Sequence, residues 1–352
     1  MGQNHANANV ISTQMGIPAG TQLEGKIIKA LSGFYYVKTI EGTYMCRARG
    51  IFKKKGNAPL VGDDVTIVVN PTTDSDEMEG RIEVMHERRN SFIRPPVANI
   101  DNFLIVLAAK DPDPSLEILD RFLVMSEAAG VIPIIIINKM DLVDNDKIEQ
   151  TIRHIYEKYY DVHFLSTLND DMGDLDVLLS DMQGHVLAFA GPSGAGKTSL
   201  ITKVLNLEQP DETYQSDETQ FDGGRYLQES SDTTDQRIYS GESLKTSDVS
   251  GKTGRGRHTT RHTEIHVTPK GALVMDTPGF TSFEIIDILS EEIAEYFPDF
   301  PQGKCRFKNC KHLDEPDCAI KEALQDGKIA ESRYHSYLAM MRDAIQKEEN
   351  QY

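Results

Sequence analysis

The sequence predicts a multidomain protein: an N-terminal β-barrel, a central α/β domain built on a parallel sheet, and a C-terminal helical, metal-binding segment. Three observations predict it. Between Thr21 and Arg94, short β-branched and aromatic runs are separated by Gly, Asp and Asn. From Asp101 to Asp276, strand-like apolar runs alternate with helical stretches. Beyond Ser290, three cysteines and one histidine fall within fourteen residues, a grouping that suits a bound metal.

Composition narrows the class further. The chain has 352 residues and a formal charge of −18, with 39% hydrophobic and 26% charged residues. That length suits two or three domains, and the composition suits a globular chain with a sizeable core. The acidic balance excludes a uniformly basic nucleic-acid binder, so any such contact must come from local patches. The longest apolar run, Val131 to Ile137, is far too short to span a bilayer, and no membrane partner is expected. The N-terminal MGQNHANANVISTQ has neither a basic region nor an apolar one, so no signal peptide is expected. Gly2 lacks a Ser or Thr at position 6, which argues against myristoylation. Four cysteines are too few for a disulfide framework at this length. A cytoplasmic protein is expected and, with no coiled coil or large apolar face in the pattern, a monomer.

The elements follow in order. Residues 1–20 are small and polar and read as a disordered tail. Over 21–95, the runs LEGKIIKA, GFYYVKTI, GTYMCRARG and DDVTIVVN suit a small closed barrel such as an OB-fold, with Cys46 packed in a strand. The central domain is expected over 98–288. DNFLIVLAA (101–109) is nearly all apolar, as a strand buried on both faces would be. The helical SLEILDRFLVMSEAAG follows, then a strand VIPIIIIN (131–138), a helix near 145–160 and a strand DVHFLST (161–167). Another helical stretch leads to HVLAFAG (185–191), a helix begins near Lys197, and the strands TEIHVTP and GALVMD (271–276) come last. Between 207 and 250, eleven acidic residues face three basic ones without sustained periodicity, which predicts a mobile loop. The segment 289–352 holds a short helix, the cysteine cluster and an amphipathic helix, SRYHSYLAMMRDAIQKEE.

Gly191-Pro192-Ser193-Gly194-Ala195-Gly196-Lys197-Thr198 fits G-x-x-x-x-G-K-[ST]. Its glycines permit a backbone that aims several N–H groups at one anion, and the following helix adds its positive end. Lys197 is expected to reach the β- and γ-phosphates and Thr198 to ligate Mg²⁺, with Ser199 in the same turn. The bland alternative is a Gly-rich turn with an exposed lysine.

Asn138-Lys139-Met140-Asp141 follows a strand. A carboxylate there can accept two N–H donors from one edge of guanine, whereas adenine lacks that paired edge. Asn138 would hold neighbouring loops and the Lys139 stem would pack on the base. Alone, N-K-x-D is more often an ordinary strand-to-helix turn; beside a phosphate loop in the same sheet, base reading is favoured. Ser166 could present its backbone N–H to the guanine O6, although Ser-Thr after a strand is also common turn chemistry.

Asp276-Thr-Pro-Gly279 closes a later strand. Asp276 would hold Mg²⁺ through water, and the Gly279 N–H would contact the γ-phosphate. Upstream, Gly254-Arg-Gly-Arg-His-Thr-Thr260 is basic without an acid; Thr259 or Thr260 could reach Mg²⁺, and loss of the γ-phosphate would release the loop. Many GTPases carry a Gln after D-x-x-G to orient water, but here Phe280 stands there. His258 is the candidate catalytic residue in its place; the alternative is that it merely binds phosphate or RNA.

The order of these motifs is informative. N-K-x-D precedes the phosphate loop, and D-x-x-G comes last, whereas the usual order is phosphate loop, D-x-x-G, N-K-x-D. A circularly permuted GTPase accounts for all three without a second nucleotide site, because domain termini usually lie close together at the surface.

Cys305, Cys310, His312 and Cys318 offer three thiolates and one imidazole, the ligand count of a closed structural Zn²⁺ site. Buried thiols or a redox pair are the alternatives. In the barrel segment, Arg47, Arg49, Lys53, Lys54, Lys55, Arg88, Arg89 and Arg94 lie near Tyr35, Tyr36, Tyr44 and Phe52. That mixture fits RNA, though a solvated face is the commoner meaning of a charge run.

With N-K-M-D, G-P-S-G-A-G-K-T, G-R-G-R-H-T-T, D-T-P-G-F and C-x4-C-x-H-x5-C in this order, the chain resembles the RsgA (YjeQ) family of circularly permuted, small-ribosomal-subunit-dependent GTPases over nearly its whole length after residue 20. The resemblance implies an OB-fold, a permuted GTPase domain and a zinc domain. It implies binding to the 30S ribosomal subunit and its 16S rRNA late in maturation, with hydrolysis of GTP to GDP stimulated by the subunit and release of assembly factors. It also implies guanine reading by Asn138 and Asp141, phosphate and Mg²⁺ binding by Lys197 and Thr198, one Zn²⁺ on the three cysteines and His312, and a role for His258 in hydrolysis. Two departures stand out: the acidic 207–250 segment is longer than the family's switch region, and Ala195 and Thr198 replace a common Val and Ser. The rival classes are an ATP-dependent kinase or ATPase, which nucleotide competition would reveal, and a binding module whose nucleotide is a passive ligand.

Overall fold

The computed structural model describes residues 18–54, 58–70, 78–169, 175–205, 263–276 and 288–350. The chain forms two compact units, one up to Asn99 and one from Ile100 onward, the short stretch 262–264 aside.

The first unit contains β1 (Gln22–Leu31), β2 (Phe34–Thr39), β3 (Gly42–Ala48), α1 (Gly50–Lys54), β4 (Asp64–Val69), β5 (Glu79–Met85), β6 (Ser91–Phe92) and β7 (Val97–Ala98). Its five long strands run in the order β1-β2-β3-β5-β4, and β4 pairs back onto β1. This closes a five-stranded barrel, antiparallel except between β3 and β5. Alternation along the strands explains the closure. Tyr35 and Val37 of β2 and Tyr44 and Cys46 of β3 are buried, as are Ile27, Val65, Ile67 and Ile82 of the other strands. Burial pushes the Cys46 thiol up to about 12, which agrees with a packed strand residue.

The barrel also removes one arginine from the expected basic face. Arg88 forks onto the buried Asp63 carboxylate, with Nε 2.6 Å from Oδ1 and Nη2 2.8 Å from Oδ2, and also donates to the Ala58 carbonyl. Arg47 instead stands over Phe34, its Cζ 4.6 Å from the ring centre.

The second unit contains β8 (Asn102–Ala108), α2 (Leu116–Ala128), β9 (Ile132–Asn138), α3 (Lys147–Tyr156), β10 (Asp161–Phe164), α4 (Leu175–Asp181), β11 (Val186–Ala190), α5 (Lys197–Val204), β12 (Glu264–Val267), β13 (Leu273–Asp276), α6 (Ala319–Gln325) and α7 (Glu331–Asn350). Its strands run β10-β9-β8-β11-β13-β12, and the pairs from β10 to β13 are all parallel. β8 and β11 are buried at every position, as covered parallel strands must be. Leu104, Val106, Leu187, Phe189 and Val274 meet Leu200, Ile201 and Val204 of α5 in one apolar cluster.

From β8 the chain winds outward through β9 and β10, then returns to β11 and winds the other way. The strand order therefore reverses between β8 and β11, and ligands of such sheets bind beyond the carboxyl ends at that reversal. After β13, α7 packs along α2. The C-terminal module has a core shared with α2: Phe297, Phe300, Ile320, Tyr337, Met340 and Met341 cluster with Val124. No helix among the described residues is long and apolar enough to cross a membrane.

Candidate nucleotide-binding site and metal centre

Pairing registers bring the sequence motifs to one rim. Ala108 of β8 lies opposite Asn138 of β9, Ile137 opposite Phe164 of β10, and Ala188 of β11 opposite Met275 of β13. The N-K-M-D loop expected to read the base, the Ser166 turn, the phosphate loop and the backbone of Asp276 thus all leave the same edge of the sheet.

Asn138 ties three of these loops together. Its side chain is fully buried. Nδ2 donates to the Ala195 carbonyl in the phosphate loop at 3.0 Å. Oδ1 accepts from the Thr167 N–H at 3.2 Å and from the Thr167 hydroxyl at 3.3 Å. Both ends of the amide are used, so an isosteric residue of different polarity could not satisfy them. The β10 strand stops at Phe164 rather than Thr167 because Leu165 to Thr167 turn to serve this site; the Leu165 carbonyl accepts from the Met140 N–H at 3.2 Å. Ser166 is buried, and its hydroxyl donates to Asp141 Oδ1 at 2.5 Å. Asp141 itself is half-buried at the rim. Lys139 takes a left-handed conformation, φ 62°, and its Nζ donates to the Asp111 carbonyl in the loop between β8 and α2.

The phosphate loop needs its glycines. Gly191 has φ 136°, and a Cβ there would stand 2.1 Å from the Val106 carbonyl of β8. Gly196 has φ 90°, and a Cβ there would stand 2.2 Å from Asn138 Nδ2. Bare backbone at both points lets the loop wrap against β8 and β9 before α5 starts at Lys197. Ser193, Gly194 and Thr198 face solvent. Lys197 folds back over the loop, with Nζ 2.7 Å from the carbonyls of both Gly191 and Pro192. Burial lowers its pKa from the usual lysine value. A lysine in a glycine-rich loop that leads into a helix N-terminus suits an anion. The hydroxyl of Thr198 and a carboxylate at 276 are oxygen donors of the kind a hard divalent cation takes. His258, Thr259, Thr260, Gly279 and Phe280 lie outside the described residues, as does the acidic 207–250 segment.

The second cluster lies in the C-terminal module. The ligand atoms of Cys305, Cys310, His312 and Cys318 all lie within 4.8 Å of one another. His312 Nδ1 is 3.5 Å from Cys305 Sγ and 3.4 Å from Cys318 Sγ, and the two sulfurs are 4.0 Å apart. A tetrahedral Zn²⁺ with Zn–S near 2.3 Å and Zn–N near 2.05 Å needs edges of about 3.8 Å between sulfurs and about 3.5 Å from sulfur to nitrogen. The residues therefore fit such an ion, with Nδ1 as the imidazole ligand, and no disulfide joins these cysteines. Backbone support comes from Glu315, which accepts from the N–H groups of Lys311 and Leu313, and from α7. There the Tyr334 hydroxyl donates to the His312 carbonyl at 2.6 Å and that of Tyr337 to the Lys311 carbonyl at 2.8 Å.

Sequence reasoning missed two features. One is the Asp111 carbonyl beneath Lys139, for which a Lys-Asp-Pro-Asp-Pro turn gives no signal. The other is a buried charge cluster behind the site, around Arg333, which reads in sequence only as one more polar position of a terminal helix.

The chain is similar to known proteins over most of its length. The RsgA GTPase family model matches residues 85–286, and the RsgA N-terminal domain model matches residues 24–75. A protein of Geobacillus sp. (strain WCH70) named small ribosomal subunit biogenesis GTPase RsgA is 42% identical, over 91% of this chain and 97% of its own. Its namesake from Alkaliphilus metalliredigens (strain QYMF) is 39% identical, over 90% of this chain and 96% of its own. Among solved structures, YloQ, described as a circularly permuted GTPase, matches with a TM-score of 0.69 and 35% identity, covering 93% of this chain and 96% of that one. YjeQ from Thermotoga maritima matches with a TM-score of 0.70 and 30% identity, covering 92% and 99%.

Proposed function

The chain belongs to the RsgA family of circularly permuted P-loop GTPases, GTP hydrolases of ribosome biogenesis, and from that premise we propose that it docks on the small (30S) ribosomal subunit through 16S rRNA, assists its late maturation, and leaves with released assembly factors when GTP becomes GDP and phosphate. The observation that carries the reading is the Asn138 staple, which holds the base-reading loop, the Ser166 turn and the phosphate loop in one register at the sheet's reversal point.

In this reading Asp141 accepts the paired donors of guanine, and the Ser166 hydroxyl already bound to it fixes the carboxylate's direction. The Ser166 N–H faces the guanine O6. Met140 and the stem of Lys139 line the base. Residues Gly191 to Ser199 wrap the phosphates, with Lys197 exchanging its two carbonyl partners for phosphate oxygens, and Gly279 contacts the γ-phosphate. Thr198, Thr259 and Asp276 would hold Mg²⁺, which neutralises phosphate charge when bound. His258 orients the attacking water, because Phe280 has no group to do so. Cys305, Cys310, His312 and Cys318 would hold one Zn²⁺, which supplies folding energy to its loop. The barrel over 21–95, the GTPase domain over 98–288 and the module over 289–352 divide the work of docking, switching and anchoring. A cytoplasmic monomer fits this role.

The test is the GTP hydrolysis rate with and without purified 30S subunits. Slow turnover alone and a marked rise with subunits is expected; an unchanged rate would sink the docking model. Competition between GTP and ATP separates this reading from an ATPase. His258→Ala and Lys197→Ala separate it from a passive binder, since hydrolysis and subunit release should both be lost.

A further inference from the structure

Behind the nucleotide rim, α2, α3 and α7 meet at a buried charge. Arg333, in the first turns of α7, has a side chain only 2% exposed. Its Nη1 is 2.6 Å from Asp120 Oδ1 on α2, and its Nη2 is 2.7 Å from Asp299 Oδ1 in the C-terminal module. The same Asp120 oxygen accepts from the Tyr156 hydroxyl, the last residue of α3, at 2.8 Å. The guanidinium also lies 4.5 Å from the centre of the Phe297 ring. On the open side of the same helix pair, Arg121 donates to Asp343 of α7 at 2.7 Å.

Buried ion clusters of this kind add little net stability over well-packed apolar residues of equal volume; their best-attested use is to fix one arrangement. Here the arrangement fixed is informative. Asp120 stands one turn inside α2, and the loop that opens α2 places the Asp111 carbonyl on Lys139. That loop also reaches the phosphate loop, where a Cβ on Gly194 would stand 3.4 Å from Pro112 Cδ. α3 begins six residues after Asp141. One carboxylate therefore ties α2, whose leading loop meets Lys139, to the far end of α3, the helix that follows the N-K-M-D turn. On α7, the residue next to Arg333 is Tyr334, whose hydroxyl holds the His312 carbonyl of the metal loop.

We propose that Arg333 is a positioning residue for the guanine site: through Asp120 and Tyr156 it couples the docking of the C-terminal module to the placement of the base-reading loop, so that guanine nucleotide and the C-terminal module stabilise one another across the latch. The coupling rests on the reading of the rim as the guanine site, and it is reciprocal by thermodynamic linkage. Whatever shifts α7 alters nucleotide affinity, and nucleotide tightens α7.

The experiment measures GDP affinity by fluorescence titration, zinc content, GTPase kcat and KM, and hydrogen exchange of the α7 amides with and without GDP. The variants are Tyr156→Phe, Arg333→Met and Arg333→Lys, with Asp120→Asn completing a double-mutant cycle. GDP affinity is expected to fall about 3-fold in Tyr156→Phe and about 10-fold in Arg333→Met, with Arg333→Lys between them. KM should rise while kcat stays, zinc content should not change, and GDP should slow α7 exchange in the parent but less in Tyr156→Phe. The Asp120→Asn and Arg333→Met effects on affinity should be markedly non-additive. Folded variants that melt earlier yet bind GDP as the parent does, with α7 exchange indifferent to GDP, would overturn the coupling and leave a purely structural cluster. Should Arg333→Met fail to fold, Tyr156→Phe, which removes a single hydroxyl, decides by the same readouts. A parent protein that binds no GDP would instead refute the guanine site itself, a separate result.

Discussion

Replacing Asn138 by alanine should unfasten the nucleotide rim. The change removes one hydrogen bond to the phosphate loop, at 3.0 Å, and two from Thr167, at 3.2 and 3.3 Å. At about 1 kcal/mol per bond, with some relief because the Thr167 side is only half-buried, the loss is about 2–3 kcal/mol. The Ala195 carbonyl, in a fully buried residue, would be left without its donor, which keeps the figure from falling lower. In a domain of this size about 1 kcal/mol shifts Tm by ~2–4 °C, so melting should drop by roughly 5–10 °C. Since the lost bonds set the register of two loops that grip one ligand, GDP affinity should fall more than about tenfold. Thermal melts by circular dichroism and titration with a fluorescent GDP analogue check both numbers. Asn138→Asp is a sharper probe: it keeps the acceptor for Thr167 but sets an oxygen against the Ala195 carbonyl, so it should be at least as damaging as alanine. If Asn138→Ala melts within about 2 °C of the parent and binds GDP within about twofold, the three bonds do not organise the rim and the reasoning is wrong.

Other outcomes follow from the same geometry. Gly191→Ala should cost more than about 2 kcal/mol, from left-handed strain and from a Cβ 2.1 Å from the Val106 carbonyl, and GDP should rescue it poorly in a denaturation assay. Lys197 has a pKa lowered by burial in the free protein, and phosphate contact would raise it. Nucleotide affinity should therefore weaken as pH rises through the free-state pKa, with protons taken up on binding in that alkaline window. Calorimetry in buffers of different ionisation enthalpy checks the sign, and Lys197→Met should abolish the dependence. Mild chelation should release one Zn²⁺ per chain and loosen the 305–318 loop, read by hydrogen exchange, while Cys310→Ser should purify without the ion.

Much of the second unit could be read from the chain because its central strands β8, β9 and β11 are covered on both faces. Residues 101–109 and 131–138 stand out as apolar runs, and the observed β8 and β9 differ from them by a residue at the ends. The G-x-x-x-x-G-K-T and N-K-x-D motifs stand out equally, since each has fixed residue types at fixed spacing, and the fold brings the two together. Less visible was what depends on contact between distant segments. The fifth barrel strand, EGRIEVM, is too polar to announce itself, and only its pairing with β3 and β4 identifies it. Arg333 and Asp120 are 213 positions apart, so no local pattern could join them. Arg88 looked like part of a basic surface until Asp63 claimed it. Asn138 is the intermediate case: the motif suggested a residue that holds loops, but which loops, and through which atoms, came only with the fold.

The placement of β8 bears on how the chain is made. This central strand, with seven buried positions, pairs with β9 on one flank and β11 on the other. During synthesis β9 emerges soon after it, but β11 ends about 80 residues later. At roughly 5–20 residues per second, that leaves an open apolar border for about 4–16 s. Chains truncated before Val186 should therefore aggregate or be held by chaperones, whereas the full-length chain, in which β11 pairs with both β8 and β13, should not.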